Sequence, residues 1–264
     1  MAIKLMLINF KKYLFLMQQM ILRDFKVKYK RSILGVLWSL LNPLLMMSVM
    51  SVVFSQVLKF NIEGISNYLV YLLSGLIMFN YFSEATNLAM VSIVDNFQLM
   101  TKVYIPKYVF PLSKCLFASI NLFLSIIPLL LIVLLTGAPI TWNYLFIPYA
   151  LLCLILFSFG IGLIISTISV FLRDMFHLYS IIVLIWQYFT PIFYVAKNTF
   201  DPFLLGLLQL NPLYQYINFT RIILLDGATP PLISFVICGA TAIIVALIGC
   251  FAFRAKQNKF IYYA

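Results

Sequence analysis

Few side chains in this chain of 264 residues are suited to chemistry, and their spacing argues against chemistry by the chain alone. The single histidine, His177, cannot build a histidine-rich zinc site, and no HExxH run occurs. The cysteines Cys115, Cys153, Cys238 and Cys250 lie in or beside apolar runs and form no CxxC pair, so they read as small packing residues between helices. The acids Asp24, Asp95 and Asp174 each stand alone, which leaves no acid/base pair. No two glycines lie five apart, so a phosphate-cradling GxxxxGK[ST] loop is excluded. Gly160-x-Gly162 has Ile165 where a third glycine would fall, and it sits inside an apolar run. Glu84 is the one acid placed within a long apolar stretch, a functional candidate by default, with interfacial water or a lysine in reach. No cofactor or metal is expected in this chain. Uphill work by it would draw on a gradient or on another chain.

The elements that must position these residues are membrane helices. The sequence is 64% hydrophobic and 9% charged, against roughly 45–50% apolar and about 25% charged in soluble domains. Long unbroken apolar runs, such as 115–136 and 145–172, lack the alternation of barrel strands. At about 20 residues per crossing, spans are expected at 33–58, 67–90, 115–136, 144–170, 176–195 and 231–253. The fold class is therefore an all-α membrane protein with six transmembrane helices, in one domain over 1–264. No cleavable signal peptide is evident, because the first apolar run follows a long basic segment and exceeds a signal core.

With this division, fifteen of the eighteen Lys and Arg residues fall on one side and only Lys59, Lys197 and Arg221 on the other. The basic side is cytoplasmic, with both termini inside. The basic balance thus needs no nucleic acid and gives affinity for anionic inner-leaflet lipid.

Several segments are not simple spans. Ile3, Leu7, Phe10, Leu14, Met17 and Ile21 recur at helical spacing, with Lys4, Lys11, Lys12, Gln18 and Gln19 on another side, which predicts an amphipathic helix on the cytoplasmic membrane surface. A dense cationic cluster, Arg23 to Arg31, leads into a span carrying Trp38 and interrupted by Pro43. Residues 93–114 form a long cytoplasmic loop with Asn96, Lys102, Pro106, Lys107 and Pro111, fit for a short helix that docks on a partner. In the external stretch 196–230, two apolar pieces too short to cross are joined at Asn211-Pro212, as in re-entrant half-helices. Trp186, Phe189 and Phe193 fall on one helical face of the fifth span, with Tyr188 and Tyr194 adding polar tips.

Four stretches, in order, resemble the ABC-2 type permeases that export polysaccharides such as O-antigen, capsule and teichoic acid. The first is Arg23-Asp24, Lys26, Tyr29-Lys30, Ser32, Leu34-Gly35, Trp38 and Pro43. The second is Asn96, Lys102, Pro106-Lys107 and Pro111, with Ile105 where the family often has Phe. The third is Phe171-x-Arg173-Asp174 with Thr190-Pro191-Ile192-Phe193-Tyr194, and the fourth Asn211-Pro212-Leu213 with Arg221.

The resemblance implies a homodimeric pore served by two copies of a separate ABC ATPase, which binds ATP and Mg. It implies coupling to that ATPase through Asn96, Lys102, Pro106 and Lys107, and a cytoplasmic interface of Arg23, Asp24, Lys26, Tyr29, Arg173 and Asp174 held by ion pairs. It implies an external gate at Asn211, Pro212 and Arg221, and Trp38, Trp186, Phe189, Phe193 and Tyr194 are the candidates to line a translocation path between the first and fifth spans. The expected function is the permease subunit of an ATP-driven exporter of a lipid-linked polysaccharide in the bacterial cytoplasmic membrane. An ABC-2 exporter of a small lipid or drug shares the architecture. A gradient-driven transporter is disfavoured by the lack of paired intramembrane charges, and a membrane transferase by the missing catalytic constellation.

Overall fold

The structure, a computed structural model, describes residues 2–30, 34–35, 37–52, 67–103, 105–194 and 201–263. The expected positions 31–33, 53–58 and 196–200 therefore lie outside the described residues.

The described residues are helical, with no strand among them. A helix occupies each predicted apolar stretch: α2 (Leu37–Val52), α3 (Tyr68–Asp95), α5 (Val109–Leu135), α6 (Ile147–Phe171), α7 (Met175–Phe189) and α10 (Leu232–Lys256). The N-terminal helix α1 runs Ala2–Tyr29, and so continues through most of the cationic cluster. A six-residue helix, α4 (Phe97–Lys102), forms in the predicted coupling loop. The pieces either side of Asn211-Pro212 are α8 (Pro202–Gln209) and α9 (Pro212–Asp226), and a short α11 (Phe260–Tyr263) follows α10.

Three stretches among the described residues are long and apolar enough to cross a membrane: Val109–Leu135, Trp142–Phe171 and Leu232–Lys259. The apolar α7 is shorter. The described residues are thus those of an all-helical membrane protein. α3 is long but less apolar, because Asn80, Glu84 and Asn87 interrupt it. Its position explains this: it packs against α5, α6 and α9 and buries residues along most of its length, so protein rather than lipid surrounds it.

Helix α6 is the hinge of the packing because its two glycines face different neighbours. A Cβ on Gly160 would stand 2.7 Å from the backbone of Val245 and Ala246 on α10, and one on Gly162 would stand 2.8 Å from Ala89 of α3. The pair read in sequence as a failed phosphate motif is a close-approach device, since small residues let membrane helices reach van der Waals distance.

Two predictions are corrected. The fifth apolar helix ends at Phe189, not 195, because Pro191 cannot extend it and biases Thr190 to extended backbone (φ −92°, ψ 123°). Phe193 consequently shares no helical face with Trp186 and Phe189. On α1, Met17 and Met20 are buried against the bundle while Leu14 is exposed; the side chains of 1–12 lie outside the described residues.

The molecule has two ends. At the basic end, Met17 and Met20 of α1, Ile93, Met100, Val109, Val170 and Phe253 form a separate cluster that includes Phe260 of the C-terminal turn. At the far end, Thr141 and Asn143 donate to the Gly227 carbonyl at 3.1 and 2.7 Å, tying the 136–146 turn to the end of α9.

Candidate functional site

At the basic end the final turns of α1 are fastened to the 93–114 segment. Arg23 donates to Asp24 Oδ1 at 3.0 Å and approaches Asn96 Oδ1 at 3.4 Å. Lys114, near the start of α5, pairs with Asp24 Oδ2 at 2.7 Å, both side chains almost enclosed. Asn96 is buried between α3 and α4, and its Nδ2 donates to the Ser92 carbonyl at 2.8 Å. Residues assigned from sequence to two separate roles, Arg23 and Asp24 on one side and Asn96 on the other, thus meet in one cluster. Lys114 was counted in sequence only as a loop base; the signal for it was an isolated Asp24 inside a cationic run that needed a partner.

The other residues expected to couple divide. Lys107 donates to the Gln257 carbonyl at 2.6 Å and lies over the Phe260 ring at 5.8 Å, so it holds the C-terminal turn. Partial burial lowers its ammonium pKa from the ordinary lysine value. Lys102 ends α4 and points to solvent, and Pro106 is half-buried. Lys26 is exposed; Tyr29 ends α1, and its side chain lies outside the described residues. Arg173 and Asp174 are both exposed at the α6–α7 turn and form no ion pair among the described residues, unlike the expectation for that pair. They lie at a tight turn where Asp174 takes helical backbone, which leaves its side chain in water.

At the far end the irregular backbone after α7 is held by a buried arginine. Arg221 of α9 is 4% exposed. Its Nη1 donates to the Pro191 carbonyl at 2.8 Å, its Nε and Nη2 to the Tyr71 carbonyl at 3.3 and 3.1 Å, and its Nη2 to Ile192 at 3.4 Å. The guanidinium lies 3.4 Å from the centre of the Tyr71 ring, a cation–π stack. No carboxylate pairs with Arg221 among the described residues. The Tyr71 hydroxyl donates to the Tyr194 carbonyl at 2.8 Å and the Tyr68 hydroxyl to Phe193 at 2.8 Å. A broken helix inside an apolar bundle frees carbonyls that must be satisfied, and these three side chains satisfy them. Gly75 makes room, since a Cβ there would stand 2.8 Å from Arg221 Nη2.

Asn211 locks the same junction from the other side. Its Oδ1 accepts from the Leu213 amide at 3.1 Å, capping α9, and from the Trp186 indole at 3.0 Å, while its Nδ2 donates to Thr190 Oγ1 at 3.0 Å. Pro212 takes the first helical position, where its missing N–H costs nothing. Trp186 is half-buried and meets the Phe82 ring edge-on at 5.1 Å. Phe193 and Tyr194 are likewise half-buried, whereas Phe189 is 64% exposed and Trp38 of α2 44%. The five aromatics expected to line a path are therefore not one surface: three belong to the far-end junction, Phe189 faces outward beside it, and Trp38 stands elsewhere.

Trp38 lines a cleft of about 550 Å³ between α1, α2, α3 and α5. In that cleft Glu84 Oε1 accepts from Lys28 at 2.9 Å and from Asn121 at 2.8 Å. Sequence reasoning singled out Glu84 and missed Asn121. The signal was present as polar residues four apart, Asn80 and Glu84 on α3 and Asn121 and Ser125 on α5.

The chain thus joins an N-terminal helix fastened to the short α4 with a helix broken at a proline and clasped from α9. Residues 16–225 match the ABC-2 type transporter family, and the chain belongs to that family. It is similar to the "O-antigen export system permease protein RfbA" of Klebsiella pneumoniae, with 30% identity over 241 residues covering 90% of each chain. The protein of that name from Myxococcus xanthus is 27% identical over 246 residues, covering 93% of this chain and 94% of its own length.

Proposed function

We propose that this chain is the membrane-spanning permease subunit of an ATP-driven exporter that moves a lipid-linked polysaccharide across the bacterial cytoplasmic membrane. The observation that carries this reading is the 30% identity, over nine-tenths of both chains, to O-antigen export permeases. The chain is one transmembrane domain of six spans, α2, α3, α5, α6, α7 and α10, with both termini cytoplasmic. The gathering of α1, α4 and the C-terminal turn at one basic end supports that orientation.

Two copies of this chain form the pore, with two copies of a separate ABC ATPase that binds ATP and Mg; the external partners are lipid and glycan, not nucleic acid. α7 buries only Tyr179 and Val183 within the chain, and α2 exposes Trp38, Leu45, Met46 and Val49, so these helices have apolar surface available for a second copy.

In this reading the ATPase pushes on α4 through Lys102. Asn96 passes the displacement to α3, and the Arg23–Asn96 and Asp24–Lys114 contacts carry α1 with it. The motion is that of rigid helices, and it opens a path along α2 and α7. Asn211, Pro212 and Arg221 form the external gate by setting the position of the broken end of α7.

The test is co-purification of the chain with the ATPase encoded beside it, followed by ATPase assay with Lys102→Ala and Pro106→Ala. A stable complex with activity sensitive to both substitutions is expected. A folded chain that associates with no ATPase would sink the reading and move the weight to a gradient-driven transporter.

A further inference from the structure

The cleft between α1, α2, α3 and α5 carries polar groups at a depth where the proposed spans are otherwise apolar. Asn80 and Glu84 lie one turn apart on α3, and Asn121 and Ser125 one turn apart on α5, so each pair occupies one helical face. The two faces meet at the 2.8 Å Asn121–Glu84 hydrogen bond. Lys28 reaches in from α1, and Trp38 from α2 forms a wall. Asn121 is 8% exposed, and its Oδ1 has no hydrogen-bond partner among the described residues. Polar groups held inside a membrane bundle are costly and mark ligand paths more often than packing.

The charge balance selects the ligand. The Lys28 ammonium and Glu84 carboxylate lie 2.9 Å apart and are the two charged groups among the described lining residues, so their charges cancel. An anionic headgroup meets the carboxylate, and a cation meets the ammonium. A neutral molecule rich in hydroxyls can donate to Glu84 and to an amide oxygen, accept from Lys28 and from an amide NH₂, and set an apolar ring face on Trp38. The volume, about 550 Å³, lies in the usual range for small-ligand pockets.

We infer that this cleft binds a neutral pyranose unit of the exported glycan, with Glu84, Asn121 and Lys28 hydrogen-bonding its hydroxyls and Trp38 stacking on its ring. The inference rests on the glycan-export reading above and adds residues of α3 and α5 to a path otherwise drawn along α2 and α7. It also gives Lys28 a double role, since the residue belongs to the helix fastened to the coupling segment. Displacement of α1 changes the Lys28–Glu84 contact and with it the affinity for sugar.

The experiment uses the full chain in lipid nanodiscs with Trp142→Phe, which removes a tryptophan that is 96% exposed and remote from the cleft. Trp fluorescence is titrated with maltose and with N,N′-diacetylchitobiose, and with inorganic pyrophosphate for comparison. Surface display of glycan by cells carrying each variant is measured in parallel. The expected result is saturable quenching by a disaccharide, weakened at least tenfold by Asn121→Leu, which leaves the Lys28–Glu84 pair in place. The double variant Lys28→Met/Glu84→Leu removes both charges together and tests a purely structural pairing; it too is expected to lose at least tenfold in affinity while remaining folded. Sugar binding unchanged in both variants overturns the inference, as does quenching by pyrophosphate alone. Absence of any disaccharide binding, with wild-type display of glycan in the Asn121→Leu cells, overturns the cleft and leaves glycan export standing. Glycan display that does not depend on the chain at all overturns the export reading, and the sugar assignment with it.

Discussion

The two ends of the molecule are held by opposite means. At the basic end, side-chain charges meet side-chain charges: Arg23 with Asp24, and Asp24 with Lys114. At the far end, one buried cation meets only backbone carbonyls and an aromatic face. The first arrangement is local and adjustable, since the Arg23 side chain is half in water and its contacts are screened by salt. The second ties together two helices and an irregular segment through one guanidinium, with no carboxylate paired to it among the described residues. In the proposed export cycle the part that moves with a partner is the one built from replaceable contacts, and the part that keeps a broken helix in one place is built from buried ones.

The sharpest way to break this contrast is Arg221→Met. The change leaves the Pro191 and Ile192 carbonyls without their guanidinium donor inside the bundle. Each orphaned buried group costs about 1–3 kcal/mol, so a loss of roughly 3 kcal/mol is expected, read as a fall in thermal unfolding temperature in detergent. Arg221→Lys restores the charge but not the fork that reaches Tyr71 and Pro191 together, and it recovers only part of the loss. Wild-type stability in Arg221→Met would show that water or lipid replaces the clasp.

Asn211→Ala comes next. It removes a helix cap, worth about 1 kcal/mol, and frees both the Trp186 indole and the Thr190 hydroxyl. A loss of about 1–2 kcal/mol is expected, with a red shift of Trp186 emission as its indole loses a fixed partner. Because Asn211 and Arg221 hold the same segment, the double variant should lose less than the sum of the single losses.

At the basic end, Asp24→Asn breaks the pair with Lys114 and weakens the pair with Arg23. The Lys114 contact is nearly enclosed, so the cost is about 1–2 kcal/mol. The comparison predicts a further distinction: unfolding measured at low and at high salt should differ more between wild type and Asp24→Asn than between wild type and Arg221→Met. Equal salt responses would erase the difference drawn between the two ends.

How much of this was legible in sequence follows from how far apart the contacting residues lie. Helix positions were readable because hydropathy and Pro/Gly punctuation act locally; α8 and α9, split at Asn211-Pro212, fall where the two apolar pieces were drawn. The end of α7 was missed although Pro191 announces it, because apolar residues continue to Val195 and hydropathy does not register backbone geometry. Glu84 was conspicuous as an acid among apolar residues, whereas Asn121 is uncharged, and its one mark, the four-residue spacing to Ser125, does not name α3 as the neighbour. The clasp was unreadable for a stronger reason: Arg221 bonds carbonyls, which every residue has, so no side-chain partner could be sought. Lys114 and Lys107 show the same limit. Both are loop lysines by composition, yet one completes an enclosed ion pair and the other caps the C-terminal turn.

The smallest effect on stability should come from Lys102→Ala, and it is the most discriminating for function. Lys102 ends α4 in solvent, so removing its charge leaves every described contact of the fold in place; surface substitutions of this kind stay within about 0.5 kcal/mol. Lys107→Ala differs by eliminating the 2.6 Å bond to Gln257 and the contact with Phe260, and it should loosen the C-terminal turn, seen as faster amide exchange over 257–263. If coupling runs through α4, the two substitutions separate cleanly: Lys102→Ala keeps the unfolding temperature and lowers stimulation of the partner ATPase, while Lys107→Ala alters exchange with a weaker effect on stimulation. Equal loss of stimulation from both would place the docking surface across the whole 102–107 turn. No loss from Lys102→Ala would move the point of force from α4 to α1, where the exposed Lys26 becomes the next residue to replace.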